Sequence, residues 1–352
     1  MPVVSVIMAL YNRQDYLAEA IESIQSQTLE DWELVIVDDG SGDNSLPIAR
    51  AYEAKDKRIK VISQQNKGLA GARQTGLRFA TGIYVAVNDD DDLSAPNRLA
   101  RLVDFMTAHP QAAAVVSQSR SIDAKSRTIG YSHRWWQDKY PKPALLPQDF
   151  SAQTIAKKIY TVTDSPSVLF RREMLLSVGG WRTWFRIRED YDLALRLEDK
   201  YPVGVFPQPL YIRRRHSKYE QLTGHATYWH YGAAAVVSAF ARRHHLPDVV
   251  EQGGSLDEAL ANFSALPHHH IQVLSMAGRE SIKSVRTKAL FLLWKRSYAE
   301  LDRQIDRVRN TQALIIEKYP RWSRARLQIL FYMWALGRMD YWWWRLLTRS
   351  GF

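Results

Sequence analysis

Four consecutive aspartates, Asp89 to Asp92, form the densest run of negative charge in this 352-residue chain. Side by side they repel one another unless a cation lies among them. Hard divalent ions such as Mg2+ or Mn2+ take oxygen ligands, commonly one or two carboxylates completed by substrate phosphates. A solvated acidic turn is the plainer reading of any isolated acidic run. Three other groups offer matching chemistry. Asp38-Asp39-Gly40-Ser41 presents carboxylates to a ribose and base, with Gly40 letting the backbone come close, or forms only a tight turn. Arg73 lies in the first turns of a helix opened by Gly68, where a cation faces either a diphosphate or plain solvent. Glu189-Asp190 opens another helix, a place that stabilises negative charge. A carboxylate kept ionised there serves as general base for a substrate hydroxyl, or as nothing more than a capping acid. His216, after Arg213-Arg214-Arg215, reads as a metal or phosphate contact or as a surface histidine.

These groups gain meaning from the elements that must carry them. Val3–Met8, Glu33–Val37, Ile59–Ile62, Ile83–Val87 and Ala112–Val116 are short runs rich in Val and Ile, as strands buried on both faces are. Between them Leu17, Ala20, Ile21 and Ile24, then Leu69, Ala72, Gly76, Leu77 and Ala80, then Leu99, Leu102, Val103 and Met106 repeat at helical spacing. Ser94 is expected to cap the last of these helices, with Pro96 in its first turn. Strand alternating with helix implies a doubly wound, mainly parallel α/β sheet covered on both sides. In such sheets ligands bind at the carboxyl ends of strands. Four successive strand ends run into polar loops: Tyr11-Asn12-Arg13, Asp38 to Asp43, Asn66-Lys67-Gly68, and Asn88 to Asp92. Farther on, Thr163–Phe170 reads as a strand and a helix starts near Glu189 with Leu193, Ala194 and Leu197 on one face. The domain boundary is placed near residue 222, with one part over about 1–118, a second over about 119–222 and a helical region over 223–352.

Taken together, Val4-Ser5-Val6-Ile7-Met8-Ala9-Leu10-Tyr11-Asn12, Glu33 to Ser41, Ala72-Arg73-Gln74-Thr75-Gly76, the four aspartates, Gly179-Gly180-Trp181 and Glu189-Asp190-Tyr191-Asp192-Leu193 resemble the large bacterial family-2 glycosyltransferases of GT-A fold. The resemblance covers residues 3 to about 220. It implies inverting transfer of a sugar from a nucleotide sugar, a UDP-sugar first, to a hydroxyl of a glycan or lipid-linked acceptor, in cell-surface polysaccharide or lipopolysaccharide synthesis. Carried over by position, Tyr11 and Asp39 contact the base or its ribose together with Asp38, and Arg73 and Asp90 lie near the nucleotide. Leu93 and Pro96 match the family spacing when the metal pair is Asp89 and Asp91, with Asp91 the direct ligand of Mn2+ or Mg2+. His216 reaches metal or diphosphate, and Asp190 corresponds to the catalytic base. Glu189, Trp181, Trp135 and Trp136 are placed at the acceptor, since aromatic faces stack on sugar rings. Ala9, Gln74 and Asn88 depart from the usual family residues, and none of them is at a metal or base position.

Composition narrows the alternatives. The chain has no cysteine, which removes disulfides, thiolate metal sites and a Cys nucleophile and fits a reducing, cytoplasmic setting. No basic segment followed by a long apolar one opens it, and no window reaches the roughly 18–20 apolar residues of a membrane span. The formal net charge is +11, and residues 225–352 hold 18 Lys and Arg against 10 Asp and Glu. The same tail carries seven of the twelve tryptophans: Trp229, Trp294, Trp322, Trp334, Trp342, Trp343 and Trp344. Interleaved Arg and Trp suit an anionic membrane surface, which gives a peripheral anchor on the inner face of the cell membrane; a helical bundle packing its aromatics on the catalytic domain or on a second subunit is the other reading. A sugar-nucleotide nucleotidyltransferase would share the sheet, but Ala9-Leu10-Tyr11-Asn12-Arg13 lacks the Gly-rich loop such enzymes carry. Binding of nucleic acid or another polyanion by the basic tail is the third reading; no nucleic-acid module is present, so no nucleic-acid partner is expected.

Overall fold

The computed structural model describes residues 1–123, 126–131, 140–146, 166–215, 228–243 and 245–261. The chain divides into one compact unit of Met1–Leu260 with His268–Val273, and a second of Ala261–Pro267 with Leu274–Phe352. The boundary placed near residue 222 falls inside the first. Residues 262–352, most of the Trp-rich tail, lie outside the described residues, as do Trp135, Trp136 and His216. Among the described residues no helix is long and apolar enough to cross a membrane.

In chain order the elements are β1 (Val4–Leu10), α1 (Leu17–Gln25), β2 (Trp32–Asp38), α2 (Ser45–Lys55), β3 (Ile59–Ser63), α3 (Gly68–Phe79), β4 (Tyr84–Val87), β5 (Leu93–Ser94) and α4 (Arg98–Ala108). There follow β6 (Ala114–Ile122), β7 (Thr128–Tyr131), β8 (Ala144–Leu145), β9 (Val168–Arg171), α5 (Arg172–Ser177), α6 (Glu189–Glu198), β10 (Val203–Arg214), α7 (Tyr228–Arg243) and α8 (Leu256–Ala261). The sheet runs β3-β2-β1-β4-β9-β6-β10-β5, with β7 beside β6 and β8 beside β10. Strands β1 to β4 pair parallel, as do β6 and β10. The reversed strand β9 lies between β4 and β6, so the expected mainly parallel sheet holds.

Alternation along each strand explains the two core layers. Val4, Val6, Met8 and Leu10 face one side and meet Leu17, Ile21 and Ile24 of α1 and Leu99 and Leu102 of α4. Ile7, Val85 and Val87 face the other and join Leu77 of α3 and Leu193 and Leu197 of α6. The sequence pattern missed α2, because only Ser45 and Ala49 of its eleven residues are buried; so short an apolar stripe gives little periodic signal. The two apolar runs at Val203 and Leu210 are one strand. Its register shifts between Phe206 and Pro209 and again before Tyr211, where prolines have no N–H to give the ladder. Ser94 does not cap α4. The residue before that helix is Asn97, with no side-chain cap bond, and the Ser94 hydroxyl donates instead to Asn88 Oδ1 at 2.8 Å.

Helix α3 packs very closely on β1. A Cβ at Gly76 would stand 2.5 Å from Ile7 Cγ2, a methyl on a stiff β-branched side chain that cannot swing aside. Gly76→Ala gains about 1 kcal/mol of helix propensity, but overpacking of this kind costs about 1–3 kcal/mol. Net destabilisation in urea unfolding is expected; an equal or higher midpoint would contradict this packing.

Candidate active site

The loops after β1 and β2 are stitched together at the carboxyl rim of the sheet. Asn12 takes a left-handed conformation, φ 52°, which Asn tolerates better than most residues. Its N–H donates to Ser41 Oγ at 3.0 Å, and its Oδ1 accepts from the Gly42 N–H at 2.8 Å. Asp38 accepts from the Ser41 N–H and from Ser63 Oγ. Asp39 is buried and accepts from Gln64 Nε2 at 2.7 Å and from the N–H groups of Lys67 and Gly68 at 2.9 and 2.8 Å. It therefore caps the start of α3 and fixes that helix to the end of β2. The Tyr11 ring beside them is open to solvent.

The four aspartates do not share one environment. Asp90 accepts from the Tyr11 N–H at 3.0 Å, and Asp92 from the Arg214 N–H at 2.7 Å. Burial, reinforced by Asp91, pushes the Asp90 carboxyl well above its ordinary range, and burial with Asp91 and Asp89 pushes Asp92 up to about 8. Asp89 and Asp91 are more open, with side chains 29% and 19% exposed against 11% for Asp90. Arg13 Nε donates to Asp91 Oδ2 at 3.2 Å and lies 3.6 Å from Asp90 Oδ1.

Below this loop sit two residues that the motif reading passed over. Asn88, noted only as a departure from the family, is fully buried; its Nδ2 donates to the carbonyls of Asp89 and Asp92 at 2.9 and 3.2 Å. Arg98 is also fully buried and donates to Ser94 Oγ, Val87 O and Pro166 O at 2.8, 2.9 and 2.8 Å. Burial lowers its guanidinium to about 10 against the pull of Tyr211, Asp89 and Asp92. A polar residue replacing an apolar one just before an acidic run was the available signal for Asn88. Arg98, at a position that reads as the first exposed turn of a helix, gave none.

Arg73 is not at the surface, and both of its terminal nitrogens are engaged by carboxylates. One donates to Glu189 Oε1 at 2.5 Å and the other to Asp89 Oδ1 at 2.8 Å, with the guanidinium buried. Burial works against its charge, yet Asp89, Glu189 and Asp190 more than compensate and raise its pKa. Glu189, expected at the acceptor, is instead the buried partner of Arg73; burial pushes it up to about 7, Arg73 pulling down and Asp190 pushing up. Asp190 is half-buried, and its carboxylate accepts from the Tyr191 N–H at 2.7 Å. It lines a small recess with Arg73, Val87, Trp181 and Leu193. The Trp181 ring is buried in that wall, edge-on to Phe170 at 6.0 Å, and so offers no open face for a sugar to stack on. Gln74 holds the turn in place, accepting from the Trp181 N–H at 2.8 Å and donating to Gly179 O at 3.3 Å.

The carboxylate oxygens of Asp89 and Asp91 are the donor type that a hard divalent cation takes. Among the described residues no three His, Asp or Glu side chains form a set able to enclose a metal. An ion held by this pair would need its remaining sites filled by phosphate oxygens and water, as Mg2+ commonly has them.

Comparison with known proteins follows this geometry. The chain is 49% identical over 199 residues to EpsE of Bacillus subtilis (strain 168), which covers 55% of this chain and 66% of that protein. It is 34% identical over 134 residues to chondroitin synthase of Escherichia coli, covering 38% and 20% of the two chains. The chain thus spans less than two thirds of these relatives' own lengths. Among solved structures, S. aureus TarS 1–349 with UDP-GlcNAc superposes with a TM-score of 0.56 at 19% identity, over 81% of this chain and 82% of that one; the shared fold is GT-A. Residues 5–176 match the model of "Glycosyl transferase family 2", and that stretch of the chain belongs to the family.

Proposed function

We propose that this protein is an inverting glycosyltransferase that uses a divalent ion to move a sugar from a nucleotide sugar to a hydroxyl of a glycan or lipid-linked acceptor, in the synthesis of a cell-surface polysaccharide. The observation that carries the reading is Arg73, which joins Asp89 at the end of β4 to Glu189 at the start of α6. One buried cation thereby ties the acidic donor loop to the helix that bears Asp190. UDP is the first nucleotide to try, since TarS, which has the same fold, was solved with UDP-GlcNAc and with UDP.

In this mechanism Asp190 takes the proton of the acceptor hydroxyl as that oxygen attacks the anomeric carbon. The bond from that carbon to the phosphate oxygen breaks, and the nucleoside diphosphate leaves with the electron pair. One displacement from the opposite face inverts the anomeric configuration. Asp91 and Asp89 would hold Mn2+ or Mg2+, which when bound supplies Lewis-acid neutralisation of charge on the leaving diphosphate. Tyr11 offers an open ring beside the base position, and Asp38, Asp39 and Asp90 shape the loops around the nucleoside. The basic, Trp-rich tail serves as a peripheral anchor that brings this site to a lipid-linked acceptor on an anionic membrane face.

Three outcomes follow. Titration of UDP into the full chain should show binding that requires Mn2+ and weakens at least about ten-fold in Asp91→Ala; no UDP binding by folded protein with metal present would point to another nucleotide such as GDP or dTDP. Asp190→Asn should keep UDP binding while turnover falls about 10²–10⁴-fold, and turnover within a few-fold of wild type would remove the base assignment. Full-length protein should float with anionic vesicles at low salt and be released as salt rises; failure to float at low salt would sink the anchor.

A further inference from the structure

The family-matched stretch ends at residue 176, yet α6 is held from behind by residues well past it. Asp192, in the first turn of α6 and fully buried, accepts from Arg182 Nε at 3.0 Å and also from Arg182 Nη2, and from Arg196 Nε at 2.9 Å. Arg182 Nη2 donates as well to Ser238 Oγ of α7 at 2.8 Å. Ser238 in turn donates to Asp248 Oδ2 at 2.5 Å, and Arg182 Nη1 and Arg242 Nη1 each lie 3.5 Å from the same carboxylate oxygen. Arg196 reaches forward to Gly180 O at 2.7 Å and to Val178 O, beside the recess wall.

A second fastening runs parallel to the first. Trp184 Nε1 donates to Gly254 O at 2.6 Å, and the rings of Trp184 and Phe185 pack on Tyr231 of α7 at 5.7 and 6.2 Å. Gly232 of α7 faces Arg188, where a Cβ would stand 3.4 Å from Arg188 Nε. Arg188 has φ 64°, a left-handed conformation at a non-glycine residue. Such backbone persists only where its surroundings impose it. It is also the residue that turns the chain into Glu189-Asp190, and its carbonyl accepts the Asp192 N–H at 3.1 Å.

We infer that residues 228–254 are a buttress that fixes the position of Asp190, with Ser238 and Asp248 acting as positioning residues through Arg182 and Asp192. This rests on Asp190 being the base proposed above. The electrostatics require the set to be complete: Arg182, Arg196 and Arg242 share Asp192 and Asp248, so loss of either carboxylate leaves buried guanidinium charge uncompensated. The slack then appears where the ring is anchored, at the turn of residues 178–182 and the first turn of α6. Displacement of a reacting group by about 1 Å costs on the order of 10²-fold in rate.

Hydrogen–deuterium exchange on the full chain separates this from general stabilisation. In Ser238→Ala and Asp248→Asn, amides of residues 179–193 should exchange about ten-fold faster, while the β4 loop of residues 84–92 keeps its protection and UDP affinity with Mn2+ is unchanged. Asp248→Glu, which keeps the charge, should restore protection. Asp199→Asn is the control. It removes a carboxylate that lies 2.5 Å from Arg243 and 3.8 Å from Arg242 at the far end of α6, while Arg242 keeps Ser238 and Asp248, and it should leave residues 188–193 as in wild type. In turnover, the first two variants should lower kcat about 10- to 100-fold with donor KM unchanged. Unaltered exchange at 179–193, or equal loosening by Asp199→Asn, would overturn the buttress and leave the transferase reading standing. Local loosening together with wild-type turnover in Asp190→Asn would instead remove the base assignment, and with it the catalytic purpose of the buttress.

Discussion

Too much negative charge stands at one rim of the sheet, and the arrangement around it follows from how that charge is compensated. Asp89 to Asp92, Glu189 and Asp190 come from two elements far apart in sequence. Two like charges 4 Å apart repel by about 4 kcal/mol at an effective dielectric of 20, and burial adds the cost of desolvation. Three guanidiniums, Arg13, Arg73 and Arg98, meet that charge from different sides. Each also crosses between elements: Arg13 joins the β1 loop to the Asp loop, Arg73 joins α3 to β4 and α6, and Arg98 joins α4 to the ends of β4 and β9. Buried ion pairs are weak evidence of net stability, but breaking one leaves an uncompensated charge. The same contacts that neutralise the rim therefore also fix its geometry.

The sheet supplies the place. Parallel β1, β2, β3 and β4 all end at the same rim, which is why loops with no sequence similarity to one another come together. The reversed β9 has the opposite effect: its start, at Pro166 and Ser167, lies near that rim beside Val87, where Arg98 binds both Val87 O and Pro166 O. The chain then runs down β9, turns through α5 and returns by the Gly179-Gly180 turn, both glycines at positive φ. Only after that return does α6 start at the rim. The side chain of Gln74 receives this turn on α3, so a residue that departs from the family's usual one has a reach that the turn uses.

Much of this was legible in the sequence. Apolar runs of Val and Ile placed β1 to β4 within a residue or two, since strands buried on both faces leave an uninterrupted signal, whereas β6 runs on to Ile122, past the apolar run that ends at Val116. The start of α6 at Glu189 followed from its apolar face and its acidic first turn. What the sequence did not give were the partners of charged residues, because a charge carries no record of what neutralises it. Glu189 reads as a helix-start acid at the acceptor and is buried on Arg73, and Trp181 reads as a platform and is part of a wall. Ser94 reads as a helix cap and Arg98 carries no signal of its own, yet tertiary contacts claim both side chains. Alternation within the acidic run, with Asp90 and Asp92 turned in, becomes visible only when β10 brings the Arg214 N–H against the loop.

The position of β10 also explains why the acidic loop is held by more than the strand that leads into it. Its Tyr211 hydroxyl accepts the Asp89 N–H at 3.1 Å while the strand pairs with β5 just beyond the aspartates. Residues some 120 positions downstream thus set the path of the loop that the family motif defines. The same logic holds for α6, whose first turn depends on Arg73 from before it and on Arg182, Ser238 and Asp248 from around and after it. A motif names the groups that meet substrate, but the restraint that makes them meet comes from residues a motif does not include. Charged networks suit this purpose better than apolar packing, because hydrogen-bond directions fix orientation as well as distance. In this chain those networks extend past the matched stretch on its C-terminal side, so the catalytic unit is larger than the motif that marks it.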